Sequence, residues 1–474
     1  MDEPTFTSLL YGALSHLLTI GGFLLAVFLI ARLMREKRQP GNTFAWLLVI
    51  VLIPYLGVPL YLLFGGRKLR RLVSEKDRLF PSLPEDAIPA ACADYPIARA
   101  ITTGGGSPPV GGNAISLLKT GEEAYHALAK GILEAKHCIH ITTFIIGNDE
   151  VGRRIVQLLA ERAKDGIQVR LLIDAVGCMF IFNSFFKAIK EAGGEVQWFM
   201  PVLPFTSRSS ANLRNHRKIA VFDQHTAIVG GHNIAKEYMG PETYDERWSD
   251  FGAQIEGPAA AMINDIFVAD WCYASHQQPE DIQPPRVAGI EGEAELQVIA
   301  SGPDVRGDPF YDGLLTMVQS ADVSIVIVTP YYIPDEVLQR SLIVKARAGR
   351  DVTLILPAKS NHPITDFARK HHVRELRAAG VKVQLFAPGM LHSKATIIDD
   401  RIAIFGSANC DLRSLFVNFE IGVVVHTKPD VHAISEWAQS LLPSCSSAEP
   451  PQNHRFPRIN ALTEDLSRML APLL

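Results

Sequence analysis

Two long apolar runs open the chain. No Asp, Glu, Lys or Arg occurs from Pro4 to Ala31, nor from Gln39 to Gly66, and each stretch covers 28 residues. An apolar helix of about 20 residues crosses a bilayer core. The pattern therefore predicts two hydrophobic helices, about 7–31 and 43–65, forming a transmembrane hairpin within residues 1–70. Pro54, Gly57 and Pro59 allow a kink or a re-entrant path in the second helix. The acidic start, Asp2 and Glu3, and the lack of a small-residue cleavage site argue against a removed signal peptide. Basic clusters follow both runs, at Arg32–Arg38 and at Arg67–Arg71, and the second tips the body toward the cytoplasmic side.

Beyond the hairpin the pattern changes to short β-branched runs alternating with amphipathic stretches, the signature of a sheet covered by helices. A Pro/Gly-rich linker is expected over 71–112 and a second over 277–289, leaving bodies at 113–276 and 290–444 and a tail at 445–474. In the tail Ile459, Leu462, Leu466, Met469, Leu470 and Leu473 form an amphipathic helical stripe. The two bodies repeat each other. Cys138–Ile146, Asp149-Glu150 and Val169–Ile173 in the first correspond to Val323–Pro330, Asp335-Glu336 and Val352–Leu356 in the second. The stretch Pro201–Leu213 has no counterpart before His392 and is read as an insertion beside the pocket.

Composition narrows the class. Charged residues make up 20% and the net charge is −4, so no global basic field draws the chain to nucleic acid. The six cysteines, Cys92, Cys138, Cys178, Cys272, Cys410 and Cys445, are too far apart for a CxxC pair and are expected to be reduced.

The chemistry sits in a duplicated motif. His216-x-Lys218-x4-Asp223 is followed by Gly230-x-x-Asn233, and His392-x-Lys394-x4-Asp399 by Gly406-x-x-Asn409. All five matched positions are 176 residues apart. Residues two apart on a strand share a face, so each His and Lys point the same way. Two His, two Lys and two Asn around one pocket suit a phosphodiester. The lysines neutralise its oxygens, one imidazole attacks phosphorus, and the other protonates the leaving oxygen. Asp223 and Asp399 are candidates for the catalytic set, although their odd spacing from the His also fits a turn-holding role. Asp250 aligns with Glu420, each a carboxylate on an apolar strand and a candidate for orienting an imidazole. Gly231 stands where the second copy has Ser407, so the first half lacks a hydroxyl that the second offers to phosphate. The adjacent lysines disfavour a zinc site at His216 and His392. His371 and His372 read as a solvated basic helix face, and His137 and His140 as strand packing.

These motifs resemble the phospholipase D superfamily, and more fully the bacterial cardiolipin synthases. Supporting stretches are Arg214–Lys218, Thr329–Pro334, Pro388–His392 and Asn409–Ser414. The resemblance implies two duplicated phospholipase D-like lobes of α/β class, each a mixed sheet flanked by helices, behind the transmembrane hairpin. It implies a multi-pass protein of the inner membrane. The implied reaction is transphosphatidylation of two phosphatidylglycerol molecules to cardiolipin and glycerol through a phosphatidyl-histidine, without metal or cofactor. His216 is then the nucleophile and His392 the general acid/base, with the reverse assignment allowed by the repeat. Hydrolysis to phosphatidic acid is the alternative outcome of the same site, and a membrane-bound nuclease or a noncatalytic scaffold the more distant ones. The sequence says nothing of protein partners or oligomeric state.

Overall fold

The computed structural model describes residues 19–31, 40–64, 89–201, 212–282 and 289–447. Two compact units divide the chain, Met1–Arg67 and Lys68–Leu474.

In the first unit, 19–31 is helical, and the second apolar run forms two helices, Pro40–Leu52 and Pro54–Phe64. The break at Ile53 divides the stretch expected as a helix over 43–65 at Pro54, one of the residues expected to allow a kink. Pro54 lacks the N–H that would continue the helical ladder, so the break falls immediately before it. Ala26, Leu29, Ile50, Val58 and Tyr61 form a small core, and Trp46 meets Tyr61 edge-on at 5.4 Å. Among the described residues no helix is long and apolar enough to cross a membrane. Residues 7–18 of the first expected helix lie outside the described residues.

The second unit is built on one mixed sheet. Its first lobe supplies β1 (Val110–Leu118), β2 (Cys138–Thr143), β3 (Gln168–Asp174), β4 (Glu195–Phe199), β5 (Ile219–Phe222), β6 (Thr226–Gly230) and β7 (Gly252–Glu256). The second supplies β8 (Ala294–Ser301), β9 (Ser324–Val328), β11 (Asp351–Pro357), β12 (Lys382–Phe386), β13 (Ala395–Ile398), β14 (Ile402–Gly406), β16 (Glu420–Val425) and β17 (Cys445–Ser446). Two short strands, β10 (Tyr332–Ile333) and β15 (Cys410–Asp411), pair separately.

Read outward from the centre, the first lobe runs β1-β7-β6-β5-β2-β3-β4 and the second β8-β16-β14-β13-β9-β11-β12-β17. The order is the same in both apart from the additional edge strand β17, and β1 pairs antiparallel with β8 where the lobes meet. Asn113 staples this junction. Its amide donates to the carbonyls of Val110, Gly111 and Ala294, and its oxygen accepts from the Ala259 N–H at 2.8 Å. Within the large sheet, parallel pairing is confined in each lobe to three successive strands, β2-β3-β4 and β9-β11-β12, and the separate β10-β15 pair is also parallel.

Matched acids cap matched helices. Asp149 accepts from the Gly152 N–H to start Glu150–Lys164, and Asp335 accepts from the N–H groups of Val337 and Leu338 to start Glu336–Arg347. Covered on both faces, β5 and β13 are buried throughout, which explains why every residue in them but Thr396 is apolar.

The expected linkers are shorter than the composition implies. Residues 89–112 belong to the body: Ala98 and Ile101 of the helix Pro96–Thr103 are buried, and Ile101 joins the second lobe's core. Glu295 accepts from the N–H groups of Ala91 and Cys92. The second linker is likewise held at its start, where Gln277 bridges Trp271 and Glu195. The amphipathic tail beyond 447 and residues 202–211 of the insertion lie outside the described residues. All six cysteines are free.

Candidate active site

Each His-x-Lys motif sits just before a central strand, β5 or β13, and is hydrogen-bonded to the opposite lobe. The His216 N–H donates to the Phe419 carbonyl, and the Phe419 N–H to the Arg214 carbonyl, both at 2.9 Å. In the mirror arrangement the Ser249 N–H donates to the Met390 carbonyl at 2.9 Å and the His392 N–H to the Ser249 carbonyl at 2.7 Å. Each contact delivers the next residue's carboxylate to the facing imidazole. Nδ1 of His216 lies 3.1 Å from the Glu420 carboxylate, and Nδ1 of His392 lies 2.6 Å from Oδ2 of Asp250. Nδ1–H is thereby the donor in both rings, and Nε2 is left for chemistry.

The lysines complete the cluster. Nζ of Lys218 donates to the His216 carbonyl at 2.7 Å, and Nζ of Lys394 donates to the His392 carbonyl and lies 2.8 Å from Nδ1 and 3.2 Å from Nε2 of His392. Aromatic rings brace the imidazoles: Phe144 meets His216 edge-on at 4.9 Å, and Tyr238 and Trp248 lie 5.1 and 5.6 Å from His392. Phe144, Tyr238 and Trp248 are site residues that the sequence did not announce, because isolated aromatics carry no motif.

Burial governs the protonation states. It lowers His216 below its ordinary value; Glu420 opposes the shift and Lys218 adds to it. Burial, assisted by Lys394, takes His392 down to about 3. Lys218 falls to about 7 and Lys394 to about 8, again chiefly through burial. Burial works to raise Asp250 and Glu420, but the facing imidazoles and lysines outweigh it and hold both carboxylates below their usual range. The cluster therefore holds neutral imidazoles beside ionised carboxylates near neutral pH.

The two halves are related without being identical. A Cβ on Gly231 would lie 2.0 Å from Oδ1 of Asp250. The carboxylate of Asp250 fills that space and accepts the Phe251 N–H at 2.8 Å. In the other half Ser407 takes over this role. Its hydroxyl donates to Glu420 at 2.5 Å and accepts the Ile421 N–H at 3.0 Å. Ser407 thus supports Glu420.

Asp223 and Asp399 are open, by sequence, to a catalytic or a turn-holding role. They occupy left-handed turns, each with φ 54°, at the far ends of β5 and β13. Asp223 accepts the N–H groups of Lys136, His137 and Cys138 at 2.7–2.9 Å, and Asp399 those of Asp322, Val323 and Ser324 over the same range. Seven residues of extended chain separate each from its His, about 23 Å. Neither reaches the cluster. Asn233 accepts the Ile145 N–H at 3.1 Å, bracing the loop after β2, and Asn409 donates to Ser414, in the short helix Leu412–Phe416, at 3.2 Å. His140, as expected, packs in the core, stacked on Phe267 at 4.6 Å.

Behind the site lies a further set that the sequence signalled only faintly, through an acid in the apolar helix Pro258–Ser275. Arg217 points away from His216 and is fully buried. It donates to both oxygens of Asp270 at 2.7 Å and to the Glu420 carbonyl at 3.0 Å. Arg214 pairs with Asp174 at 3.3 Å, and Asp174 also accepts the Asn215 N–H at 2.9 Å. Buried cations this well matched fix the backbone on either side of His216.

A duplicated α/β body with two crossed His-Lys-carboxylate sets at its centre defines a phospholipase D-like protein. The family model for the cardiolipin synthase, phospholipase D-like domain matches residues 128–271 and 314–442, and the phospholipase D-nuclease N-terminal model matches 24–66. The cardiolipin synthase of Geobacillus kaustophilus (strain HTA426) is 32% identical, the match covering 94% of this chain and 92% of that one. The major cardiolipin synthase of Bacillus subtilis (strain 168) is 30% identical over 96% of this chain and all of its own length. The crystal structure of phosphatidylserine synthase from Haemophilus influenzae matches 76% of this chain and 94% of that one, at 15% identity and a TM-score of 0.55, a likeness of fold alone. The chain belongs to the cardiolipin synthase family.

Proposed function

We propose that this phosphatidyltransferase joins two phosphatidylglycerol molecules into cardiolipin at the crossed His216–His392 site. The observation that carries the reading is the pair of imidazoles, each tied through Nδ1 to a carboxylate of the other lobe, with a lysine beside it. Nε2 of His216 attacks phosphorus and the bond from phosphorus to the headgroup glycerol oxygen breaks. The leaving oxygen takes a proton from Nε2 of His392. A headgroup hydroxyl of a second phosphatidylglycerol then attacks the phosphatidyl-histidine, His392 takes its proton, and His216 leaves. His216 is the nucleophile because it is the less buried ring, its side chain 12% exposed against 5% for His392. The anionic substrate shifts this proton balance. Its charge offsets Lys218 and Lys394, raises the His392 affinity for a proton, and so arms the general acid.

The lipid substrate accords with an anchor at the apolar N-terminal runs, whose residues Ile20, Phe23, Leu24 and Phe28 are exposed. Residence in the cytoplasmic membrane, with the body on the cytoplasmic side, follows on this reading.

Purified chain incubated with phosphatidylglycerol in mixed micelles, with chelator present, tests it. Cardiolipin and glycerol are expected. Phosphatidic acid as the sole product would show that water, not lipid, resolves the intermediate.

A further inference from the structure

A turn at the rim of this site carries three exposed apolar side chains. Met179 is 61% exposed, Phe180 81% and Phe182 77%. Their neighbours point inward: Cys178 and Phe186 are buried, and Ile181 and Phe185 pack against the first lobe's core. The turn is also bound to the catalytic end of the sheet. Oδ1 of Asp174 accepts the N–H groups of Val176 and Gly177, and Oδ2 accepts the N–H of Asn215, next to His216. The Cys178 thiol donates to the carbonyl of Phe144, whose ring meets His216. The outward side chains are thus held at a fixed place beside the nucleophile.

The fold does not need them. In the second lobe the segment after β11 reads Ala358-Lys-Ser-Asn-His362, and among residues 358–366 the one large apolar side chain left exposed is Ile364. Isolated apolar residues on a surface are ordinary, but three within four residues on an anchored turn mark a contact surface. Lys187 and Lys190 stand exposed on the following helix, with Lys187 3.5 Å from Glu191. Aromatic tips with lysines behind them match an interface of acyl chains under anionic headgroups.

We infer that Met179, Phe180 and Phe182 form a wedge that enters the surface of an anionic phospholipid bilayer and presents the His216 side of the site to headgroups. This rests on the lipid-transfer reading above. The wedge is a second hold on the membrane, separate from the N-terminal runs, and it orients the catalytic body.

The test uses the full chain, carrying Cys445→Ser to remove the one cysteine that is not buried. An environment-sensitive fluorophore is placed at Phe180→Cys, or at Leu133→Cys as a control. Leu133 is 55% exposed and lies close before Lys136 and His137, whose N–H groups Asp223 holds at the far end of the sheet. In phosphatidylglycerol vesicles with brominated acyl chains, quenching is expected at 180 and not at 133. No quenching at 180, or equal quenching at both, overturns the wedge. This arm needs no turnover, so it decides the wedge even in a chain that transfers no phosphatidyl group. In a second arm, Phe180→Ser/Phe182→Ser lowers the ratio of vesicle turnover to turnover of monomeric short-chain phosphatidylglycerol by about tenfold. An equal loss on both substrates would mean that the turn acts only through catalytic geometry, and would overturn the proposal.

Discussion

His392 and Asp250 belong to different lobes, yet Nδ1 of the one lies 2.6 Å from Oδ2 of the other. His216 and Glu420 repeat the relationship in the opposite sense at 3.1 Å. Each half supplies an imidazole for itself and a carboxylate for its twin.

His216→Ala and His392→Ala are each expected to lower turnover by about a thousandfold or more, since nucleophilic and acid–base roles do not substitute for one another. Mass spectrometry of the lipids formed from phosphatidylglycerol reads the outcome. Activity near wild type in either variant would refute a shared site.

Gly231→Ala should resemble Asp250→Asn. The added Cβ would meet Oδ1 of Asp250 at 2.0 Å and push the carboxylate off His392. A fall in kcat of roughly 10- to 1,000-fold is expected for both, with a folded protein by circular dichroism. An active Gly231→Ala enzyme would show that this contact does not orient His392.

Asp223→Ala and Asp399→Ala act on stability. Each removes a carboxylate that accepts three backbone N–H groups. A loss of about 2–4 kcal/mol is expected by denaturant unfolding, with kcat per folded molecule close to wild type. A stable variant that had lost catalysis would return these residues to the chemistry.

The pH profile follows from the lysines. Lys218 and Lys394 are lowered to about 7 and about 8, so their ammonium forms are lost as pH rises through that window. Attraction for the phosphodiester falls with them. The ratio kcat/KM, which reports the free enzyme, should decline on the alkaline side. A flat ratio between about pH 6.5 and 9 would contradict the lowered lysines.

Arg217→Lys keeps the charge but loses the fork that joins Asp270 to the Glu420 carbonyl. We expect kcat to fall about 10- to 100-fold with little change in KM, because Arg217 acts through Glu420 and not on substrate. A change confined to KM would place it elsewhere in the reaction.

Much of this was legible in the residue pattern. The constant spacing between the motif copies revealed the duplication, because each lobe repeats one strand order and places its His and Lys alike. Asp250 and Glu420 were visible as costly carboxylates on apolar strands. Their crossing was not, since strand pairing between lobes leaves no mark on either local sequence. Asp223 and Asp399 stayed open between two roles for a related reason: a repeated motif preserves the residues that make its turns as faithfully as those that make its chemistry. The break at Ile53 shows a Pro overriding hydrophobic continuity. The helix Pro96–Thr103 shows how a Pro/Gly-rich segment can still contribute two buried residues to a core.

The crossing of carboxylates also sets a timetable for synthesis. The first lobe leaves the ribosome carrying His216 and Asp250 while the partners of both, Glu420 and His392, are still untranslated. A growing chain has no orienting acid for its first imidazole until about two hundred further residues have been added and the second lobe has closed on the first. The crossed pairs are therefore a property of the finished chain, and a truncated product carries half of each.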